Sequence, residues 1–437
     1  MPKFLTIQDQ PLAGFTLQGF DCEKRPYTKI GQIKSYNVSG DIITFASPDS
    51  AYAVTKRLFD LAKKEILIGI YDFSADYIKE LLLNAMERNV KVTLMLDIDL
   101  DAEKALFKEL AQFGCKTIPS PSCTNAVAKY FPNCHEKFVV IDNEWLVVQS
   151  GNYTKNSIPF NEEDGGDPLH FKKGNRDMGV AIHSKELSAF FKKVLLSDIK
   201  LVEDLVAPQS LDNTTLGLPL LVDVVPQLIP SKLFASKNFS PAEPVKVQPV
   251  LSPDNYMEQV TALLKSAKTS ILIENQYIKS KQPEIAKLLN AILFAKEANP
   301  ELDVRIVLGK VFSSKDVPAE KTNVANLKSK YGLSLGTNIR YIDTKRFVHC
   351  HNKLIVIDSQ TVLISSQNWS DLAVSKNREA GLILYYPEVA KYYEEIFESD
   401  WSTASVTVPN PGGGEISPQE LAKGNFTEVS YADYKEV

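Results

Sequence analysis

Apolar residues gather in short unbroken runs separated by stretches of helical spacing, and the arrangement occurs twice. Ile66-Leu67-Ile68 and Ile271-Leu272-Ile273 are short, wholly apolar and flanked by polar residues, which predicts buried strands. The two copies stay in register for some way upstream. Leu58 matches Leu263, Ala62 matches Ala267, and Lys63 matches Lys268, back to Ser47-Pro48-Asp49 and Ser252-Pro253-Asp254. Ser-Pro-Asp predicts a helix start, with Ser as cap, Pro in the first helical position and Asp complementing the dipole. A second helix is predicted at roughly 75–89 and 283–298 from its apolar spacing. A strand follows it at Val90–Leu96 and Val304–Leu308.

The repetition continues downstream. Residues 135–141, Trp145–Gln149 and Met178–Ile182 read as strands of the first copy. Their partners are 351–357, Thr361–Ser365 and Ala380–Leu384. Strand–helix–strand order with apolar strands predicts α/β layers, with helices covering the sheets. Between the copies, prolines 208, 219, 226, 230, 241 and 244 mark residues 201–245 as an irregular connector, with room for an edge strand. After Trp401 the periodicity fades, and 405–437 reads as a flexible tail. The expected layout is 1–200, connector, 246–404, tail.

Composition narrows the class. The chain has 437 residues, 44 % hydrophobic and 24 % charged, with a net charge of -5. That suits a globular protein with a large core and removes any global basic field for nucleic acid or anionic lipid. No apolar run reaches the length of a transmembrane helix, and the N-terminal residues do not resemble a secretory signal. Five cysteines, an odd number, make a disulfide scaffold improbable and a reducing, cytoplasmic setting the default.

The chemistry sits at the third repeated feature. His135-Glu136-Lys137 leads to Asp142, and His351-Asn352-Lys353 leads to Asp358. Each is H-x-K-x-x-x-x-D, in a chain with only five histidines. Residues two apart on a strand share a face, so each His projects with its Lys. Asp142 and Asp358 have the opposite parity and fall in turn-like sequence, which suggests that they support the backbone more than they touch substrate. The chain then returns to place Ser150 and Asn152, or Ser366 and Asn368, beside the His-Lys pair. Two such halves facing one another supply two imidazoles and two ammonium groups to one pocket. That set suits a phosphodiester. Lysines and asparagines bind its non-bridging oxygens, one neutral His attacks phosphorus, and the other protonates the leaving oxygen. The lysines disfavour imidazolium, so each ring needs a carboxylate. Asn175-Arg176-Asp177 and Asn377-Arg378-Glu379 form a further repeated signature, and Asp177 and Glu379 are the expected partners. His349 shares a face with His351 and either lines the pocket or is a satisfied structural histidine. Cys134 and Cys350 adjoin the catalytic histidines but point to the opposite face, which argues against a metal ligand set.

These residues resemble the phospholipase D superfamily, whose signature is H-x-K-x4-D-x6-G-S-x-N. The family's Gly is Gln149 in one copy and Ser365 in the other, and the first acid is Asp177 where Glu is common. The resemblance implies two tandem phospholipase D-like α/β domains, helix-flanked mixed sheets related by pseudo-twofold symmetry, with the active site at their interface. It implies a covalent phosphohistidine, no metal and no cofactor. It makes His135 the nucleophile and His351 the general acid, with Lys137, Asp142, Asp177, Lys353, Asp358 and Glu379 completing the catalytic set. Lys137, Lys353, Asn152, Asn368, Ser150 and Ser366 are then the residues expected to bind the phosphate.

An extension within 158–174, present in the first copy alone, carries Glu162-Glu163-Asp164 and Asp167. Its acidity and that of the whole chain weaken a salt-dependent grip on a polyanion. The expected substrate is therefore a phosphodiester of phospholipid type, with nucleic acid disfavoured and peripheral membrane contact allowed. A nuclease or nucleotide phosphodiesterase, and a cardiolipin synthase-like phosphatidyltransferase, are the alternatives built from the same residues. Two copies in one chain need no obligate oligomer.

Overall fold

The computed structural model describes residues 22–98, 101–160, 174–205 and 234–409. The acidic part of the extension, most of the proline-rich connector and nearly all of the expected tail lie outside these residues.

After a short strand β1 (Tyr36–Val38), the first half runs β2 (Ile42–Ser47), α1 (Ala51–Leu61), β3 (Glu65–Ile70), α2 (Asp76–Glu87), β4 (Lys91–Leu96) and α3 (Asp101–Gln112). It continues with β5 (Lys116–Pro119), β6 (Phe138–Ile141), β7 (Trp145–Gln149), β8 (Asp177–His183) and α4 (Lys185–Glu203). Strand β9 (Lys237–Phe239) precedes the second half, which runs β10 (Val245–Ser252), α5 (Tyr256–Lys265), β11 (Ser270–Asn275), α6 (Pro283–Ala298) and β12 (Asp303–Leu308). Then come α7 (Val317–Tyr331), β13 (Ile339–Tyr341), β14 (Lys353–Ile357), β15 (Thr361–Ser365), α8 (Asp371–Ser375), β16 (Glu379–Leu384) and α9 (Pro387–Thr403).

The strands form two eight-stranded sheets of the same order. The first is β5-β4-β3-β6-β7-β8-β2-β9, and the second is β13-β12-β11-β14-β15-β16-β10-β1. Both are mixed. β3, β4 and β5 run parallel, as do β11, β12 and β13, while the remaining pairs are antiparallel. The edge strands are exchanged: β1, from the start of the chain, completes the second sheet, and β9 completes the first.

The alternating faces of the central strands build three cores. Phe138 and Val140 of β6, with Leu354 and Val356 of β14, enter a shared core that also takes Phe191 of α4 and Phe397 of α9. Val139 and Ile141 face a separate core under α1 and α2, and Ile355 and Ile357 face its counterpart under α5 and α6. This two-sided burial explains why the strands read as unbroken apolar runs. The shared core joins the halves face to face.

Two local expectations need correction. Ser-Pro-Asp does not open a helix. Ser47 ends β2 and Ser252 ends β10, each joined to its proline by a cis bond. The helices begin at Ala51 and Tyr256, after Ser50 and Asn255. Cys22 and Cys123 form a disulfide, with Cα atoms 6.0 Å apart, where the cysteine count predicts none. The count could not show that the N-terminal segment folds back along the first half, where Arg25 N donates to Lys129 O. Among the described residues no helix is long and apolar enough to cross a membrane.

Candidate active site

The H-x-K motifs lie at the entrances to β6 and β14, the strands at the middle of each sheet. The chain just before each motif pairs across the molecule with the N-R-[DE] segment of the other half. His135 N donates to Arg378 O at 2.8 Å, and Arg378 N donates to Asn133 O at 2.9 Å. Reciprocally, Arg176 N donates to His349 O at 2.8 Å, and His351 N donates to Arg176 O at 3.0 Å. These backbone bridges set each imidazole beside the acid of the opposite half. His135 Nδ1 lies 2.8 Å from Glu379 Oε2, and His351 Nδ1 lies 2.7 Å from Asp177 Oδ1. The expected carboxylates are the ones found, and the pairing is reciprocal, as an approximate twofold axis requires.

Both lysines fold back onto their own motif. Lys137 Nζ donates to His135 O at 2.7 Å. Lys353 Nζ donates to His351 O and lies 2.9 Å from His351 Nε2. An ammonium has no lone pair to accept with, so Nε2 accepts and the proton of His351 sits on Nδ1, facing Asp177. All four side chains are buried.

The serines do a different job from the one expected. Ser150 Oγ donates to Asp177 Oδ1 at 2.8 Å, and Ser366 Oγ donates to Glu379 Oε2. Each hydroxyl accepts from the next strand, from Met178 N or Ala380 N, at 3.0 Å. A hydroxyl has one proton, and here it goes to the carboxylate. The serines position the acids and do not present that proton to a phosphate. Asn152 and Asn368 are buried, with side-chain oxygens that have no hydrogen-bond partner among the described residues.

Asp142 and Asp358, counted in the catalytic set, lie at the far ends of the motif strands. At about 3.3 Å per residue Asp142 is some 20 Å along the chain from His135. Asp142 and Asn143, like Asp358 and Ser359, have positive φ, as the central pair of a type I′ turn demands, within three-residue loops that join Ile141 to Trp145 and Ile357 to Thr361. The Asp142 carboxylate accepts from the backbone of Lys63, Lys64 and Glu65, and Asp358 accepts from Lys268, Thr269 and Ser270. Burial raises the Asp358 carboxyl, but the three amides and the Thr269 hydroxyl outweigh it and hold it below its usual value. Asp358→Ala should therefore lower stability by roughly 2 kcal/mol and leave KM unchanged, checked by thermal melts and steady-state assays on one preparation. A carboxyl depressed in the folded state stabilises above its unfolded pKa. The deficit should therefore shrink as pH falls through the acid range.

The two histidine partners differ electrostatically. Burial pushes Glu379 up to about 7, against the opposing pull of Lys137, Ser366, Asn377 and Lys353. Burial raises Asp177 as well, but the charge and hydrogen bond of His351, with Lys353 and Ser150, hold it below the ordinary carboxylate value.

Several contributors escaped the sequence reading. Tyr71 packs edge-on against His135, ring centroids 4.7 Å apart, with Lys137 Nζ 5.2 Å from its ring centre. Arg176 binds Asp49 of its own half at 2.9 Å and Asp400 of the other at 2.7 Å. Arg378 binds Asp254 and Asp198 in the same crossed manner, each at 2.7 Å. These buried ion pairs fix the bridge segments that carry Asp177 and Glu379. Their signal was present: Asp49 and Asp254 belong to the repeated Ser-Pro-Asp, and the arginines to the repeated N-R-[DE].

A family described as "Cardiolipin synthase, PLD-like domain" matches the chain twice, over residues 55–199 and 260–401. Among solved structures, phosphatidylserine synthase of Haemophilus influenzae Rd KW20 aligns over 92 % of this chain and 96 % of its own, with a TM-score of 0.60 and 14 % identity. At that identity the likeness is one of fold. Nuc, a phospholipase D family member from Salmonella typhimurium, covers 38 % of this chain and 94 % of its own at 22 % identity and a TM-score of 0.30. No curated protein matches the sequence. Each matched region holds one H-x-K motif and one of the crossed carboxylates, and on that footing the chain belongs to the phospholipase D superfamily.

Proposed function

We propose that the chain is a phosphodiesterase of phospholipase D type, acting on a phospholipid by hydrolysis or by transfer to an alcohol. The observation that carries the reading is the reciprocal pairing of His135 with Glu379 and His351 with Asp177. With Nδ1 of each imidazole on a carboxylate, Nε2 is the nitrogen that would meet the reacting atoms, at His351 in exchange for its contact with Lys353 Nζ. In the first step His135 Nε2 forms a bond to phosphorus. The bond from phosphorus to the leaving oxygen breaks, and His351 supplies that oxygen with a proton. In the second step His351 takes the proton of water or an alcohol, whose oxygen displaces His135. Lys137, Lys353, Asn152 and Asn368 hold the non-bridging oxygens as charge builds on them. Asp177, held below the ordinary carboxylate value, supplies a negative partner for the ring that must deliver a proton.

Two facts favour lipid over nucleic acid: the description attached to the matching family and the net charge of -5. The test is a parallel assay of labelled phosphatidylglycerol and phosphatidylcholine vesicles, single-stranded DNA and a chromogenic diester, with EDTA present throughout. Lipid turnover that survives EDTA is expected, and added ethanol should yield phosphatidylethanol if transfer competes with hydrolysis. Cleavage of DNA alone would replace this reading with the nuclease, and abolition by EDTA would end the metal-free route.

A further inference from the structure

The two halves match closely around the catalytic pairs and then part company one strand away. In the first half Asp97 follows β4, is fully buried, and accepts from Cys134 N, Ser122 Oγ and Thr124 Oγ1. That carboxylate and its hydroxyl partners form a cluster against the backbone just before His135. In the second half the residue after β12 is Gly309, and His349 stands where the first half has Asn133. A Cβ on Gly309 would come within 2.1 Å of His349 Cε1. The exchange of Asp97 and Asn133 for Gly309 and His349 therefore replaces a closed carboxylate cluster with an imidazole.

That imidazole is oriented. Lys310 N donates to His349 Nδ1 at 3.1 Å, so the proton of the neutral ring is on Nε2. Burial, joined by the charges of Lys310, His351 and Lys353, holds the ring far below the usual histidine pKa, which keeps it neutral. His349 is 2 % exposed, and among the described residues its Nε2 has no hydrogen-bond partner. Its ring centre is 6.5 Å from that of His351 and 4.7 Å from that of Phe312. Beside it, Gln276 occupies the position that Tyr71 has in the first half, and its carbonyl accepts from Gly309 N at 3.1 Å. Gln276 is 3 % exposed, and among the described residues neither of its side-chain amide atoms has a hydrogen-bond partner. A buried donor and a buried amide left unsatisfied in one place are costly unless a ligand meets them.

We infer that His349, Gln276 and Phe312 form a subsite for the alcohol portion of the diester on the His351 side, and that this alcohol carries a hydroxyl beyond the one esterified. The inference rests on the proposed reading, in which His351 protonates the departing oxygen. A substituent on that oxygen lies on the His351 side, within reach of His349. A free hydroxyl accepts from His349 Nε2 and both donates to and accepts from an amide. Phe312, whose ring centre lies 4.7 Å from that of His349 and 5.2 Å from Lys310 Nζ, supplies an apolar edge for the carbon chain. A quaternary ammonium could use neither polar group and would meet the positive charge of Lys310, so a glycerol-type alcohol fits where choline does not.

The test pairs binding with turnover in wild type and His349→Phe, which keeps a ring in the space. Calorimetric titration uses glycerol 3-phosphate and ethyl phosphate, and turnover uses phosphatidylglycerol vesicles and bis(4-nitrophenyl) phosphate. His349→Phe should weaken glycerol 3-phosphate and raise KM for phosphatidylglycerol by roughly tenfold, the worth of one hydrogen bond. Ethyl phosphate and the nitrophenyl diester should be unaffected, and His349→Asn, which restores an N–H donor, should recover part of the loss. Equal losses on all four compounds would make His349 a structural residue and overturn the subsite. Selective loss of glycerol 3-phosphate binding in a protein that turns over neither diester would support the subsite while sinking the enzymatic reading.

Discussion

His135→Ala should abolish turnover of every diester, by at least about 10⁴-fold, the scale on which removal of a catalytic nucleophile is felt. His351→Ala should be equally inactive on a lipid, whose alkoxide cannot leave without a proton. On a nitrophenyl diester it should behave differently. Nitrophenolate departs unaided, so His135 can still form its bond to phosphorus. The second step then lacks the base that His351 provides. The expected result is a burst of one equivalent of nitrophenolate followed by a stall, read by stopped flow, with a phosphoryl adduct on His135 by mass spectrometry. The geometry alone does not choose between the imidazoles, because both have Nδ1 on a buried carboxylate. The choice comes from their partners, since an ionised Asp177 suits the residue that must carry a proton. A burst from His135→Ala with the adduct on His351 would exchange the two roles and leave the rest of the site intact.

The sequence exposed this site because its residues sit at fixed short spacings and occur twice. Parity within a strand is local, so the shared face of His135 and Lys137 could be read directly, and β7 and β15 were placed to the residue. What it could not show was which carboxylate serves which histidine. That pairing depends on bridges between residues far apart in the chain, Cys134 with Arg378 and Arg176 with Cys350, and such contacts leave no periodic trace. The exchange of β1 and β9 between sheets was hidden for the same reason. The serines were misread for a subtler one: proximity to the pocket was visible, but the direction of a single hydroxyl proton was not. Asp142 shows the converse, since its turn position already suggested support of the backbone, and its carboxylate binds three backbone amides.

The crossed pairs also predict how rate depends on pH. An ionised carboxylate can only accept, so it holds the ring proton on Nδ1 and leaves the Nε2 lone pair of His135 for attack. Glu379 is pushed up to about 7 by burial, so below that pH it is neutral, and its proton competes for Nδ1. Asp177 is held low by His351 and Lys353 and stays ionised throughout. Activity should therefore fall as pH drops through about 7, and the limb should belong to the coupled His135–Glu379 pair. Glu379→Gln should cost about 10³- to 10⁴-fold, as when an orienting carboxylate becomes an amide, and the remaining activity should lose the limb near neutrality. Asp177→Asn should cost as much but keep it. A limb of unchanged midpoint in Glu379→Gln, from kcat/KM profiles between acid and alkaline pH, would defeat the assignment. Stability should run the other way. A carboxyl raised in the folded state favours folding below its unfolded pKa, and that contribution is lost as pH rises through about 7. At pH 8 the ionised Glu379 strains the buried interface by roughly 3 kcal/mol, so Glu379→Gln should melt higher than wild type there and about equally at pH 5. The charge needed to activate His135 is thus held at the expense of the interface that positions it, and one substitution should reveal both effects with opposite signs.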